Sequence, residues 1–366
     1  MTTKSSFFEQ KQVWIGAVAA LSVAAVIGLA ILGTTMRAQL QSFPVALVVL
    51  DEPTRESNEG QSTLGEIIKT QMIRQSELPI AWKALGSMAE VLKGLDRQDY
   101  YAALIIPYNP TRESSGSKSA AIQILINEGK NPQVASTVQW LIYNALQSMT
   151  ADSMIAPVPI TVKTVHPIGH NQANGNAPTS LTEIAWIDSL ATSVALFLAS
   201  QQALKKNGRR VYVVFAQLAT GIVFVLGTSA FLLWMLTVWY GMEVSNWNHL
   251  WLFLLFSSFV FFLLQTALLN WIGLPALPLM VLLLFFSMPI LSIAPEMLPR
   301  AAHDWLYSWT PLRYVQSGLR TVMYFDGNQM NGVYKVLAWL TGICLVLATA
   351  SVYKPFKASK SPKKSK

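Results

Sequence analysis

The chain has 366 residues, 52% of them hydrophobic and 13% charged, with 12 tryptophans. Soluble globular domains carry about 25% charged residues, so the composition excludes an all-soluble protein and describes membrane segments attached to a folded part. The formal charge of +8 could suggest nucleic acid, but its placement argues against that: six of the 27 basic residues lie in the last 13 positions and four more in KKNGRR, flanking apolar runs.

Residues 1–12 form a short basic tail, expected to be cytoplasmic. Residues 13–33, VWIGAVAALSVAAVIGLAILG, match the ~20 apolar residues that a membrane-crossing helix needs. The run exceeds the ~7–15-residue core of a signal peptide and is expected to stay as an anchor.

Residues 34–183 are written differently. FPVALVVLD opens on proline and ends in turn chemistry, as a buried strand does. STLGEIIKTQMIRQ follows, with Thr63 and Glu66 at capping-box spacing and Leu64, Ile68 and Met72 on one helical face. LPIAW reads as a strand. ALGSMAEVLKGLDRQ places Leu85, Met88, Leu92 and Leu95 on one stripe. YYAALIIP is a strand closed by proline, and AAIQILIN alternates after a Ser/Gly loop. PQVASTVQWLIYNALQSM starts a helix on Pro132, with Val134, Val138, Leu141, Ala145 and Met149 expected to face inward. VPITVKTVHP ends the module as an alternating strand. The order β-α-β-α-β-β-α-β predicts one α/β (α+β) domain with helices packed on a sheet. Its 11 basic and 13 acidic residues between positions 37 and 183 create no strong field. NQANGNAPTSLTE reads as a polar linker back to the membrane.

Residues 184–353 contain five further apolar runs: 184–204, 211–240, 250–270, 274–294 and 333–353. Pro275, Pro278 and Pro289 are expected to kink the fourth of these. The basic tail 354–366 follows. The fold class is therefore a membrane protein of six transmembrane α-helices, with an extracytoplasmic α/β domain inserted between the first and second. The positive-inside rule puts both termini and KKNGRR in the cytoplasm, with anionic lipid headgroups as their contacts. Trp186, Trp239, Trp247 and Trp251 then cluster near the outer boundary, as an aromatic belt would. The expected location is the cytoplasmic (inner) membrane.

VALVVLDE, DYYAALIIP and INEGKNPQVASTV, in that order, resemble the YhgE/Pip family, named for a phage infection protein, within the ABC-2 type permease group. NEGKN is the most specific of these strings. APEMLPRAAHDWLYSWTPLRYVQSGLRTVMYFDG is similar to the group's P-E-x-x-P, P-x-x-Y and G-x-R segment, here Pro295, Glu296, Pro299, Pro311, Tyr314, Gly318 and Arg320. The resemblance covers nearly the whole chain. It implies a permease subunit, working as a homodimer with a separate ATP-binding subunit. It also implies a re-entrant outer segment between the last two spans, an outer-leaflet gate or a surface helix. Energy-coupled members carry an amphipathic helix before the first span and a coupling segment after the second. Here there is a short tail and a bare KKNGRR.

No catalytic constellation is present, and no cofactor or metal is expected. EGKNPQ lacks the Ser/Thr and the glycine spacing of a phosphate-binding loop, so any ATP coupling needs another subunit. His166 and His170 have i, i+4 spacing, but Pro167 and Gly169 oppose the helix that would align them. The single Cys344 lies in an apolar run and permits no intrachain disulfide. The remaining candidates are Lys205, Lys206, Arg209 and Arg210, as a topology signal or an ATPase docking turn. Gln217, Gln265 and Asn270 are polar residues at membrane depth, either bonded between helices or lining a path or dimer seam. In the outer segment, Trp305, Leu306, Trp309, Leu312, Val315 and Leu319 are expected to lie on lipid, with Arg313 and Arg320 reaching headgroups.

Two functions fit. One is export of an apolar or amphiphilic compound by a permease coupled to a separate ATPase. The other is a receptor or assembly scaffold of the cell envelope acting through the outer domain. An enzyme is not expected.

Overall fold

The computed structural model describes residues 42–50, 64–74, 78–107, 121–152, 159–206, 208–327 and 330–354, together with the isolated helical positions Leu21, Ala25 and Gly28. The first expected span and both tails lie otherwise outside these residues, as does the Thr63 half of the expected capping box.

Five strands form one mixed sheet in the order β2-β1-β3-β4-β5: β1 Phe43–Val49, β2 Ile80–Ala84, β3 Ala102–Ile106, β4 Ile122–Asn127 and β5 Ile160–Val165. β1 pairs parallel with β2 and β3, β4 runs antiparallel to β3, and β5 runs parallel to β4. Side chains alternate across a strand, and here both faces are covered. Helices α1 (Leu64–Arg74) and α3 (Pro132–Asp152) sit on one face, where Ile68, Met72, Val138 and Ile142 meet Val45, Leu104 and Ile124. Helix α2 (Met88–Asp96) covers the other, with Val91 and Leu95 on Ala46, Ala103 and Ile105. β3 is therefore the central strand, buried along its whole length. Ser87 caps α2 by accepting from the Glu90 amide at 3.3 Å, and Asn131 caps α3 by accepting from the Val134 amide at 3.1 Å; both are ordinary N-cap chemistry.

Two stripes differ from the sequence expectation. In α3 the inward positions are Val134, Ala135, Val138, Ile142, Ala145 and Leu146, and Leu141 is only half-buried. In α2, Val91 is buried while Leu92 is exposed. In both helices neighbouring apolar residues compete for the sheet, and the helix rotates toward the one that fits.

Four described helices are long and apolar enough to cross a membrane: α4 (Ala177–Lys205), α5 (Arg210–Trp234, extended by a π-turn to Trp239), α6 (Trp247–Ile272) and α9 (Asn331–Ala350, ending in a one-turn helix to Tyr353). A shorter apolar helix, α7 (Ala276–Ser292), has 17 residues; it spans about 26 Å at 1.5 Å per residue, just under the hydrocarbon thickness. The expected linker contributes to α4, which begins on the proline-containing turn of Ala177 and Pro178, so Leu181 and Thr182 are already buried helix.

The membrane helices are zipped by small polar residues. Ser189 donates to the Ser258 carbonyl at 3.0 Å, Ser193 to the Phe262 carbonyl at 3.3 Å, and Thr266 to the Ser193 hydroxyl at 3.2 Å. Such contacts let α4 and α6 approach closely, as membrane packing requires where apolar burial gives no advantage over lipid. Trp186, expected in an aromatic belt, is instead fully buried, edge-on to Phe261 with ring centroids 4.9 Å apart. Trp239 is exposed, and Trp247 and Trp251 are half-buried.

Candidate functional site at the joint between sheet and helices

The chain after α7 turns back toward the sheet. Ala294 and Met297 pack into the sheet's core, and Pro295–Met297 form a single 3-10 turn carrying Glu296. The loop after β4, the NEGKN string, meets this turn from the other side. There Gly129 lies against Tyr324 and Phe325 so closely that a Cβ would stand 2.9 Å from the Tyr324 Cβ. His166 rests on the Phe325 ring at 4.4 Å and bonds Asp96 at 2.9 Å. Two segments distant in sequence are thus pressed together at the end of helix α8 (Pro311–Tyr324).

At this joint lies a cleft of about 250 Å³ whose wall includes Gln98, Tyr101, Lys130, Glu296, Tyr307 and Arg320. Tyr101 donates its phenolic proton to Glu296 Oε2 at 2.6 Å. Lys130 Nζ stands 3.6 Å from Glu296 Oε1, donates to the Asp99 carbonyl at 3.2 Å and lies 3.9 Å over the Tyr101 ring. Burial, then the Glu296 carboxylate, push the Tyr101 phenol far above its ordinary range, so it stays a neutral donor. Burial pulls the Lys130 ammonium down, partly offset by Glu296. Gln98 Nε2 donates to Thr321 Oγ1 at 2.9 Å, tying the loop before β3 to α8. Asn127, buried at the end of β4, donates to the Leu95 carbonyl at 2.9 Å and sets the path of the loop that carries Lys130.

The outer-segment residues do not share one environment. Trp305 and Trp309 are exposed. Leu312, Val315 and Leu319 are fully buried among the membrane helices, contrary to the expectation that they lie on lipid. Gly318 faces the Phe253 ring, which leaves no room for a Cβ. Arg313 does not reach outward for headgroups either. Its guanidinium stacks over Tyr307 at 4.3 Å and Tyr314 at 4.7 Å and donates to the Tyr307 carbonyl at 2.8 Å. With the Tyr314 hydroxyl donating to the Ser308 carbonyl at 3.2 Å, it clamps the π-turn His303–Tyr307 onto the start of α8. Pro299 and Pro311 begin the two helical pieces of this segment. Arg320 lines the cleft together with Pro295, Glu296 and Tyr307 of the same segment.

The other candidates separate by place. Gln217 and Asn270 meet: Asn270 Nδ2 donates to Gln217 Oε1 at 3.2 Å and to the Ser351 hydroxyl at 3.3 Å, joining α5, α6 and the end of α9. Gln265 is elsewhere, donating to the Trp186 carbonyl at 3.1 Å. In KKNGRR, Lys205, Lys206 and Arg209 are exposed, but Arg210 donates to the Ser351 carbonyl at 2.9 Å.

Sequence reasoning missed Gln98, Tyr101 and Lys130 as site residues. The available signal was the Gly-Lys pair of NEGKN, a loop with basic chemistry and no phosphate-loop grammar. Among the described residues no cluster of three His, Cys, Asp or Glu could hold a metal.

No curated protein and no solved structure matches the chain. A profile described as ABC-2 family transporter protein matches residues 11–353, and on that near-complete span the chain belongs to the ABC-2 family of multi-pass membrane transporter permeases.

Proposed function

We propose that this chain is the membrane subunit of an exporter in the YhgE/Pip branch of the family. It crosses the membrane six times, holds the sheet domain outside, and works as a pair of identical chains driven by a separate ATP-binding subunit. Its cargo is an apolar or amphiphilic compound. The observation that carries this reading is the cleft between the sheet domain and the end of α7, lined by the charged Lys130, Glu296 and Arg320 and by the apolar Ile290, Leu291 and Ile293. A site of mixed character beside a membrane helix suits a molecule that leaves lipid through the outer domain. KKNGRR lies at the other end of α4, 29 residues from its start, about 43 Å away along the axis. Positive charge there suits the cytoplasmic side and the ATPase face.

The test is purification of the full-length chain in mild detergent. A stoichiometric nucleotide-binding partner, lost in Lys205→Ala/Lys206→Ala/Arg209→Ala, supports the permease. Arg210 is left intact because it braces the last helix. Partners retained only through the sheet domain, with no nucleotide-binding protein, would replace this reading with the envelope scaffold.

A further inference from the structure

We propose that the joint cleft binds the anionic group of an amphiphile, with Arg320 as its counter-ion and the hydrocarbon part lying along the end of α7. This rests on the permease reading and names the charge of its cargo.

Arg320 is half-buried in the cleft wall, yet among the described residues its guanidinium makes no ion pair and no hydrogen bond. The phenols of Tyr307, Tyr101 and Tyr324 surround it but are pushed up by burial and carry no charge, and Lys130 repels it. The one carboxylate in the cleft, Glu296, is already occupied by Tyr101 and Lys130. Charge therefore does not close: Lys130 and Arg320 contribute two positive charges and Glu296 one negative. A partly desolvated cation without a partner is costly, and planar guanidinium is built to hold a carboxylate or phosphate oxygen pair. One negative charge brings the site to neutrality.

Size and lining supply the rest. About 250 Å³ falls below the ~300–1,000 Å³ that encloses a drug-sized ligand, so the cleft takes a headgroup and not a whole molecule. Ile290, Leu291, Ile293 and Ala294 also line it, with Ile293 the half-exposed one of the four. They are the last turn of a membrane helix and the residues just beyond it, so a chain attached to the bound anion continues along α7 toward lipid. Gln98 and Ser317 add uncharged polar groups near the anion position. Glu296 sets the preference: its charge cancels Lys130 and leaves room for one negative charge and not two.

The experiment uses the full-length chain in a neutral maltoside detergent. The probes are a short-chain fluorescent phosphatidylglycerol and the phosphatidylcholine of the same chains, with inorganic phosphate as a chain-free competitor. The wild type binds the phosphatidylglycerol about tenfold or more tighter than the phosphatidylcholine, the scale of a charge-assisted contact. Arg320→Gln abolishes that preference, and Arg320→Lys restores part of it. Glu296→Gln tightens the anionic probe several-fold, so the proposal is tested by a gain even where Arg320→Gln does not fold. Displacement only by chain-bearing anions assigns the site to an amphiphile. Displacement by inorganic phosphate at equal concentration keeps the anion site and assigns it to a free oxyanion, overturning the hydrocarbon part. Equal binding of the two lipids by the wild type, or a preference surviving Arg320→Gln, overturns the anion site itself. Export with a partner ATPase but no anion preference removes this inference alone. An anion preference without any nucleotide-binding partner removes the permease reading alone.

Discussion

Tyr101 donates its phenolic proton to Glu296 at 2.6 Å, across 195 positions of sequence. The bond ties the residue just ahead of the central strand to the turn that leaves α7, and so locks the sheet domain to the membrane helices. Tyr101→Phe keeps the ring under Lys130 and removes only the hydroxyl. A hydrogen bond to a charged group contributes about 1.5–3 kcal/mol, so the variant is expected to lower stability by that order. Thermal unfolding of the detergent-solubilised chain, read against Tyr143→Phe on the outer surface of α3, checks it; equal midpoints would show that the joint does not depend on this bond.

Close approach of helices gives a second prediction. A Cβ at Gly221 would overlap the Phe262 ring, and one at Gly318 the Phe253 ring, whereas at Gly227 nothing lies within 4 Å. Overpacking of a fitted interface costs about 1–3 kcal/mol. Gly221→Ala and Gly318→Ala are expected to lose that much in a denaturant-unfolding series, and Gly227→Ala to stay within about 0.5 kcal/mol of wild type. A loss at Gly227 equal to the other two would contradict the packing described.

What could be read from sequence follows from what generates each feature. The alternation of β4 and the proline-closed run of β3 are local, and they define strands whatever lies around them. The buried faces of α8 were not legible in the same way. Leu312, Val315 and Leu319 form an apolar stripe that lipid and protein would satisfy equally, and only the tertiary fold shows them packed inside. Trp186 raises the same difficulty, since a tryptophan near a span end reads as a belt residue until Phe261 is placed against it. The cleft was the least legible part. It brings Gln98, Tyr101, Lys130 and Asn131 together with residues 290–320, and no pattern near either group announces the other. Arg320 was visible as a motif residue, but its missing counter-ion was not.

The polar knot of Gln217, Asn270 and Ser351 yields a prediction about its role. Interhelical hydrogen bonds in membranes average about 0.6 kcal/mol and reach about 1.7. A double-mutant cycle with Gln217→Leu and Asn270→Leu is expected to return a coupling energy in that range. Under the exporter proposal, transport is expected to stay unchanged, because Asn270 Nδ2 is already engaged by Gln217 of α5 and by Ser351 just after α9. Altered substrate selectivity in either single variant would instead make these residues part of a path.

Lys130 gives the joint a pH dependence. Burial lowers its proton affinity below the ordinary lysine value of 10.5, and Glu296 and Asp99 oppose that shift while Arg320 adds to it. The phenols of Tyr101 and Tyr307, in the same cleft, stay protonated because burial pushes both up. In the window between the lowered folded value and 10.5, the unfolded chain holds the proton that the folded chain has released. Stability from this group therefore rises with pH across that window, and the full cost of burying the charge is present below it. Affinity for an anion in the cleft moves the opposite way, since deprotonating Lys130 leaves the charges of Glu296 and Arg320 to cancel and removes the net positive charge of the lining. Binding of the phosphatidylglycerol probe is expected to weaken as pH climbs toward 10.5, starting earlier than an exposed lysine would permit. Lys130→Met is expected to bind more weakly at neutral pH and to show no such decline. A wild-type profile as flat as that of Lys130→Met would mean that Lys130 takes no part in the charge balance of the cleft.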